Sequence, residues 1–424
     1  MKNVIELLKE FNEISDYRVI TNEKTSYELF FVHEKLETVR STDTSETNVT
    51  VYVDHSKYRG LSSFTLSHAD NEDTLRDKIR NAIKMASLIN NKKYTLPANE
   101  VLNSEIESNF KDYEPKELGA KMYKVLMNCA SQSKAKLNAT EIFLYKTKVN
   151  IKNSQNLDKT SISYKAMIET IPTYDTKKDS VEIYTQLNFS TFDEVSLSRK
   201  IKQALKDVTA RARAKKPDYE IDCNVLLRPQ EISQIVFNYA SDLNYSTIYN
   251  KMNKYNKGDD IQKDSNGDKI TLTMLGQIKG SSQSRIFDED GVTLSKKRIF
   301  KDGIAVANFG SNTYAKYLHK KVTGNLSLVE LKKGTKKEKE LKEMPYLECA
   351  SFSGLQVNLD ADYIGGEVRL AYYFDGKKTY PVTGISISGK LSEVLKTIQL
   401  SNKVVTEDCY KGPNYALLKG IKIF

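Results

Sequence analysis

Zinc-dependent hydrolysis needs several histidines, cysteines or carboxylates converging on one ion, and this chain offers few candidates. Its histidines are His33, His55, His68 and His319, with none between residues 69 and 318. His33 and His55 fall on or beside predicted strands and His68 just before a predicted helix, each among polar neighbours. That pattern reads as surface or turn positions rather than ligands. His55 and His68 flank one hairpin but have no cysteine near them. Cys129, Cys223, Cys349 and Cys409 are dispersed and form no CxxC pair, as expected of reduced thiols. No GxSxG elbow, phosphate-binding P-loop, GxGxxG after a strand or HExxH helix occurs. DDIQKDSNGD (residues 259–268) has calcium-loop composition, but Gly267 comes too early and no glutamate closes the loop; it reads as a solvated turn. Asp288, Glu289 and Asp290 likewise read as an exposed turn.

One helix needs a closer look. Val225-Leu226-Leu227 is a short apolar strand, Pro229 ends it, and Ile232, Ile235, Val236 and Ala240 then recur at helical spacing. The helix carries Phe237, Asn238 and Asp242, and no histidine.

The elements around it predict an α+β chain. Val4, Leu7, Leu8, Phe11 and Ile14 make an amphipathic opening helix. Residues 26–40 and 48–54 read as strands, the latter with Val49, Val51 and Val53 on one face, and 61–67 as the returning strand. Leu75, Ile79, Ala82, Ala86 and Ile89 then line a helix stripe, with Glu72 and Asp73 in its first turn. The order repeats: a helix opened by Pro115, extended segments at 140–151, 160–171 and 180–189, and a closing helix with Leu197, Ile201, Leu205, Val208 and Ala212. We therefore expect an N-terminal layered region of helices on antiparallel sheet, residues 1–218, with two related halves at 1–100 and 101–218. RARAKKPDYEID (211–222) reads as the link. Residues 219–424 are expected to form a mainly β, curved-sheet or barrel-like domain bearing the helix 229–244, because Gly turns such as Asp302-Gly303 and Asp375-Gly376 separate apolar runs.

Composition narrows the function classes. Hydrophobic residues at 39% and charged residues at 28% suit a globular chain. No run approaches the roughly 18 apolar residues of a membrane span, and the absence of a signal-peptide pattern points to the cytoplasm. The net charge of +10 raises nucleic-acid binding. Yet the excess is mainly lysine interleaved with acids, as in KKGTKKEKELKE (332–343), and no arginine-rich or aromatic platform accompanies it. A solvated lysine-rich surface accounts for it better.

RIFDEDGV (285–292) followed by KRIFKDGIAVANFGSNTYAKYLHKKVTGN (297–325) resembles a run in the TldD/PmbA family: an acidic turn, a DG hairpin (Asp302-Gly303-Ile304), an alanine-bearing helix (Tyr314-Ala315) and a Thr-Gly-Asn turn (Thr323-Gly324-Asn325). FDGKKTYPVTGISISGKLSEVLKTI (374–398) and GPNYALLKGIKI (412–423) are similar to that family's later strands, and VYVDHSKYRGLSSF and VNIKNS match in the N-terminal half. The resemblance spans nearly the whole chain. In the TldD-type branch the helix corresponding to 229–244 carries HExxxH, whose histidines hold zinc with a later cysteine while the glutamate acts on bound water. Counting from the opening proline, those positions here are Phe237, Asn238 and Asp242. The resemblance thus implies the PmbA (TldE) branch, with no catalytic, metal or cofactor residue in this chain. Cys409, near where the family's cysteine falls, then stands without partners. Also implied are zinc held only by a TldD-like catalytic subunit in a heterodimer, or a homodimer, a chamber acting on peptide or unfolded protein, and no membrane association. Two alternatives are a free-standing hydrolase using Asp242 with distant carboxylates, and a nucleic-acid-associated modulator of DNA gyrase.

Overall fold

A computed structural model describes residues 4–424. With 42% of residues in strands and 23% in helices, the chain is α+β. The opening amphipathic segment forms only one helical stretch, α1 (Val4–Leu8), where Val4, Leu7 and Leu8 are buried; the expected residues 1–3 lie outside the described chain. The next strands are β1 (Asp16–Val32), β2 (Lys35–His55) and β3 (Tyr58–Thr65). His33 and Glu34 both take positive φ in the β1–β2 turn, the twist that a two-residue hairpin requires. Helix α2 (Glu72–Ser87) is capped by Asn71, whose Oδ1 accepts the Thr74 N–H at 2.8 Å.

After β4 (Asn91–Lys92) and β5 (Val101–Glu105) come α3 (Pro115–Ser131), β6 (Lys136–Asn153), β7 (Asp158–Asp175), β8 (Ser180–Glu182), β9 (Thr185–Phe189) and α4 (Glu194–Arg211). The strands of residues 1–100 and 101–218 form one nine-stranded sheet, ordered β4-β3-β2-β1-β6-β7-β5, in which β5 lies at the far edge, with β8 and β9 beside β7. The seam is β1 against β6, antiparallel from Arg18↔Asn153 to Val32↔Ala139. Odd-numbered residues of β1 share one face. Tyr17 and Val19 pack with α2 in one core, and Leu29 and Phe31 pack with α3 and α4 in another. All three helices therefore cover the same side of the sheet.

Part of the opposite side is covered by later chain. Thr50 and Tyr52 are as buried as Val49, Val51 and Val53. Tyr52 meets Tyr94 edge to face, and Tyr94 meets Tyr317 in the same way. Ile286 and Phe287 bury themselves against Ile151 and Leu157. Arg18 pairs with Asp290 at 2.6 Å, and the fully buried Lys159 pairs with Glu100 at 2.7 Å while donating to the Thr293 hydroxyl.

From β10 (Asn224–Leu227) onward the chain builds an eight-stranded and a six-stranded sheet. The long pair Tyr346–Asn358 and Tyr363–Phe374 shifts register at three places between Cys349 and Gly354, and such bulges curl a sheet. Asp302-Gly303 turns a hairpin with both residues at positive φ. Helix α5 (Pro229–Asp242) packs against strands of both sheets. Its stripe of Ile232, Ile235, Val236, Tyr239 and Ala240 belongs to the main core of this region. Among the described residues no helix is long and apolar enough to cross a membrane.

Candidate functional site

Helix α5 starts at Pro229, a residue preorganised for the first helical position. Its apolar stripe faces inward, so the other side carries Ser233, Gln234, Phe237 and Asn238. These line an open groove of about 550 Å3, walled on its far side by Leu355, Gln356, Val357 and Asn358. Two of the three positions singled out from the sequence therefore do border a concave surface.

Their chemistry does not fit zinc. The half-buried Phe237 ring packs against the core and offers no lone pair. The Asn238 side chain turns back on its own helix, its Nδ2 donating to the Gln234 carbonyl at 2.9 Å, and an amide is no general base at neutral pH. Asp242 is buried, and both its oxygens are used: Oδ1 accepts the Lys254 N–H at 2.7 Å and Oδ2 accepts the Tyr255 N–H at 2.9 Å. That carboxylate organises the backbone of the loop at residues 254–255. Cys409 is half-buried, and burial, followed by the neighbouring Asp408 charge, raises its thiol above the usual range, the opposite of a metal-ready thiolate. Among the described residues no three His, Cys, Asp or Glu side chains come together as a ligand set. His33, His68 and His319 are exposed, and half-buried His55 shares a hydrogen bond with the Ile89 carbonyl at 3.0 Å.

One acidic stretch is less exposed than expected. Asp288 is buried, not on an open turn. Its Oδ1 accepts the Asp290 and Val292 N–H groups and its Oδ2 accepts the Asn325 N–H at 2.9 Å. Burial, then the nearby Asp290, pushes its pKa up to about 6. The acidic turn and the Thr-Gly-Asn turn thus meet through one carboxylate. In 259–268, Gln262 is fully buried, bonding the Ile270 N–H and the Asp268 and Leu395 carbonyls. Asp259, Asp260, Lys263, Asp264 and Asn266 are exposed as expected of a solvated turn, and Gln262 staples that turn to the rest of the domain by satisfying distant backbone groups.

Sequence reading missed the polar cluster at the start of α5. Arg228 donates to Asp207 of α4 at 2.7 Å and to Glu348 at 3.0 Å. Lys342 completes Glu348 at 3.0 Å, and the Tyr372 hydroxyl donates to Asp207 at 2.8 Å. Beside it, Glu231 is buried, and its Oε2 has no hydrogen-bond partner among the described residues. Burial raises its pKa to about 7, against the pull of its own and the Arg228 N–H and of the Arg228 charge. No local pattern marks these groups, since their partners come from distant segments.

Comparison with known proteins bears on this arrangement. Residues 220–423 match the model of the PmbA/TldA metallopeptidase C-terminal domain. The fold is similar to that of TldE from Thermococcus kodakarensis, with TM-score 0.80 and 15% identity over 99% of this chain and 100% of that one. It is also similar to a candidate modulator of a DNA gyrase from Thermotoga maritima, with TM-score 0.77 and 14% identity over 99% and 98% of the two chains. A candidate modulator of DNA gyrase from Bacteroides thetaiotaomicron gives 0.76 and 16% over 99% and 97%. No curated protein matches the chain. Residues 220–423 therefore belong to the PmbA/TldA metallopeptidase C-terminal domain family, and the chain as a whole shares the fold of these structures.

Proposed function

We propose that this chain is a TldE-like, non-catalytic subunit of a TldD/PmbA-type metallopeptidase system. Zinc and the hydrolytic step belong to a TldD-like partner, and the two subunits together form a peptide-processing chamber. One observation carries the reading: the helix that would grip the ion presents a ring, a self-bonded amide and a carboxylate already committed to two backbone N–H groups. Tetrahedral zinc needs donors from at least three protein groups, and these three side chains do not supply them. The groove beside Phe237 and Asn238 is kept as a surface that can hold peptide without cutting it.

Metal analysis of the purified chain tests this, alongside peptidase assays with and without a TldD-type subunit from the same cell. The expected result is well under one tightly held zinc per chain, no cleavage alone, and cleavage with the partner. Stoichiometric zinc together with activity of the isolated chain, both lost in Asp242→Ala, would overturn the proposal.

A further inference from the structure

A second cleft lies away from the α5 groove, between α4 and the eight-stranded sheet, with a volume of about 940 Å3. That is near the upper end of the roughly 300–1,000 Å3 of ligand clefts. Its floor is electrically balanced: Arg228 and Lys342 are paired with Asp207 and Glu348, and Tyr372 and Tyr415 bond the same two carboxylates. The rim is not. Lys134, Lys202, Lys206 and Arg213 border the cleft and are exposed, and none has an ion-pair partner among the described residues.

The spacing is directional. Positions 202, 206 and 213 lie four and seven apart, so they share one face of α4 and its C-terminal extension. At about 1.5 Å of rise per residue they span about 16 Å, the length of roughly five residues of extended chain at about 3.3 Å each. Lys206 also sits over the Tyr372 ring at 5.5 Å, which draws its charge toward the cleft wall. Uncompensated cations along a concave, low-dielectric wall focus a positive potential into the cleft.

We propose that this cleft docks an acidic, extended polypeptide segment. Carboxylates in an extended chain repeat on one side every second residue, about 6.6 Å apart, close to the roughly 6 Å of helix between positions 202 and 206. A nucleic acid fits less well. Three of the four rim cations are lysines rather than the planar arginine forks that grip phosphate in a bidentate way. The docking does not depend on whether α5 is catalytically silent, because no rim residue belongs to that helix.

The test uses the full chain and a fluorescein-labelled hexaglutamate peptide, followed by fluorescence anisotropy at low and high salt. Binding should weaken about tenfold or more in Lys202→Glu/Lys206→Glu/Arg213→Glu, and fall steeply with salt in the wild type. Lys84→Glu/Lys177→Glu/Lys178→Glu, the same charge change elsewhere on the exposed surface, should bind within about twofold of wild type. If the reversal perturbs the circular dichroism spectrum, the corresponding triple glutamine variant takes its place with the same expected loss. Absence of binding by wild type, equal loss in both triple variants, or a thymidine oligonucleotide that binds as tightly with the same sensitivity to the cleft reversal would each overturn the proposal.

Discussion

Replacing Asp242 distinguishes a carboxylate that organises backbone from one that holds metal. Both oxygens accept backbone N–H groups, at 2.7 and 2.9 Å, and the side chain is buried. A hydrogen bond to a charged group contributes about 1.5–3 kcal/mol. Asp242→Ala removes both bonds and strands two N–H groups, so it should cost about 3–5 kcal/mol. Asp242→Asn keeps one acceptor but turns an amide donor toward the other N–H, for about half that cost. Urea denaturation followed by circular dichroism reads these losses as midpoint shifts at constant slope. The wild-type curve should be the same with and without a chelator, because an ion that does not bind the folded state cannot stabilise it. Zinc present at a thousand times its dissociation constant would instead contribute about 4 kcal/mol. A wild-type midpoint that drops in chelator, together with an Asp242→Asn midpoint that no longer responds, would refute the structural assignment of this carboxylate.

Two further outcomes follow from buried groups. Glu231 has its pKa raised from 4.5 to about 7 by burial. Its contribution is therefore complete below pH 4.5 and is lost as pH rises through 7, a change of about 3 kcal/mol. Glu231→Gln should flatten that decline and exceed wild type in stability at pH 8; parallel stability–pH curves for the two proteins would contradict it. Gly324 takes φ +78°, and a Cβ there would lie 2.4 Å from Leu294 Cδ2 and 3.4 Å from Asp288 Oδ2. Gly324→Ala should therefore cost about 2 kcal/mol or more, read as a lower Tm, and an unchanged Tm would show that the junction with Asp288 yields freely.

Much of the fold was legible because it rests on local periodicity. Val49, Val51 and Val53 alternate, Leu75, Ile79, Ala82 and Ala86 recur at helical spacing, and Asp302-Gly303 demands a turn; each preference acts over a few residues of chain. The donor chemistry of Phe237, Asn238 and Asp242 is likewise a property of residue type. No folding could make the ring a zinc ligand.

What the sequence could not show is what covers each element from afar. Period two placed the valines of β2 on one face but not the burial of Tyr52 on the other, which Tyr94 covers and Tyr317 backs. The acids at 288–290 look like a solvated turn until Asn325 supplies a backbone donor and Arg18 a charge. Arg228 looks like a helix-flanking residue until Asp207 and Glu348 approach from other segments. The sequence alone determined which side chains can bond, ionise or ligate, and how each short segment prefers to run. The tertiary structure alone decided which distant groups meet and how much water they keep, because burial and pairing are set by segments far along the chain rather than by neighbours within it.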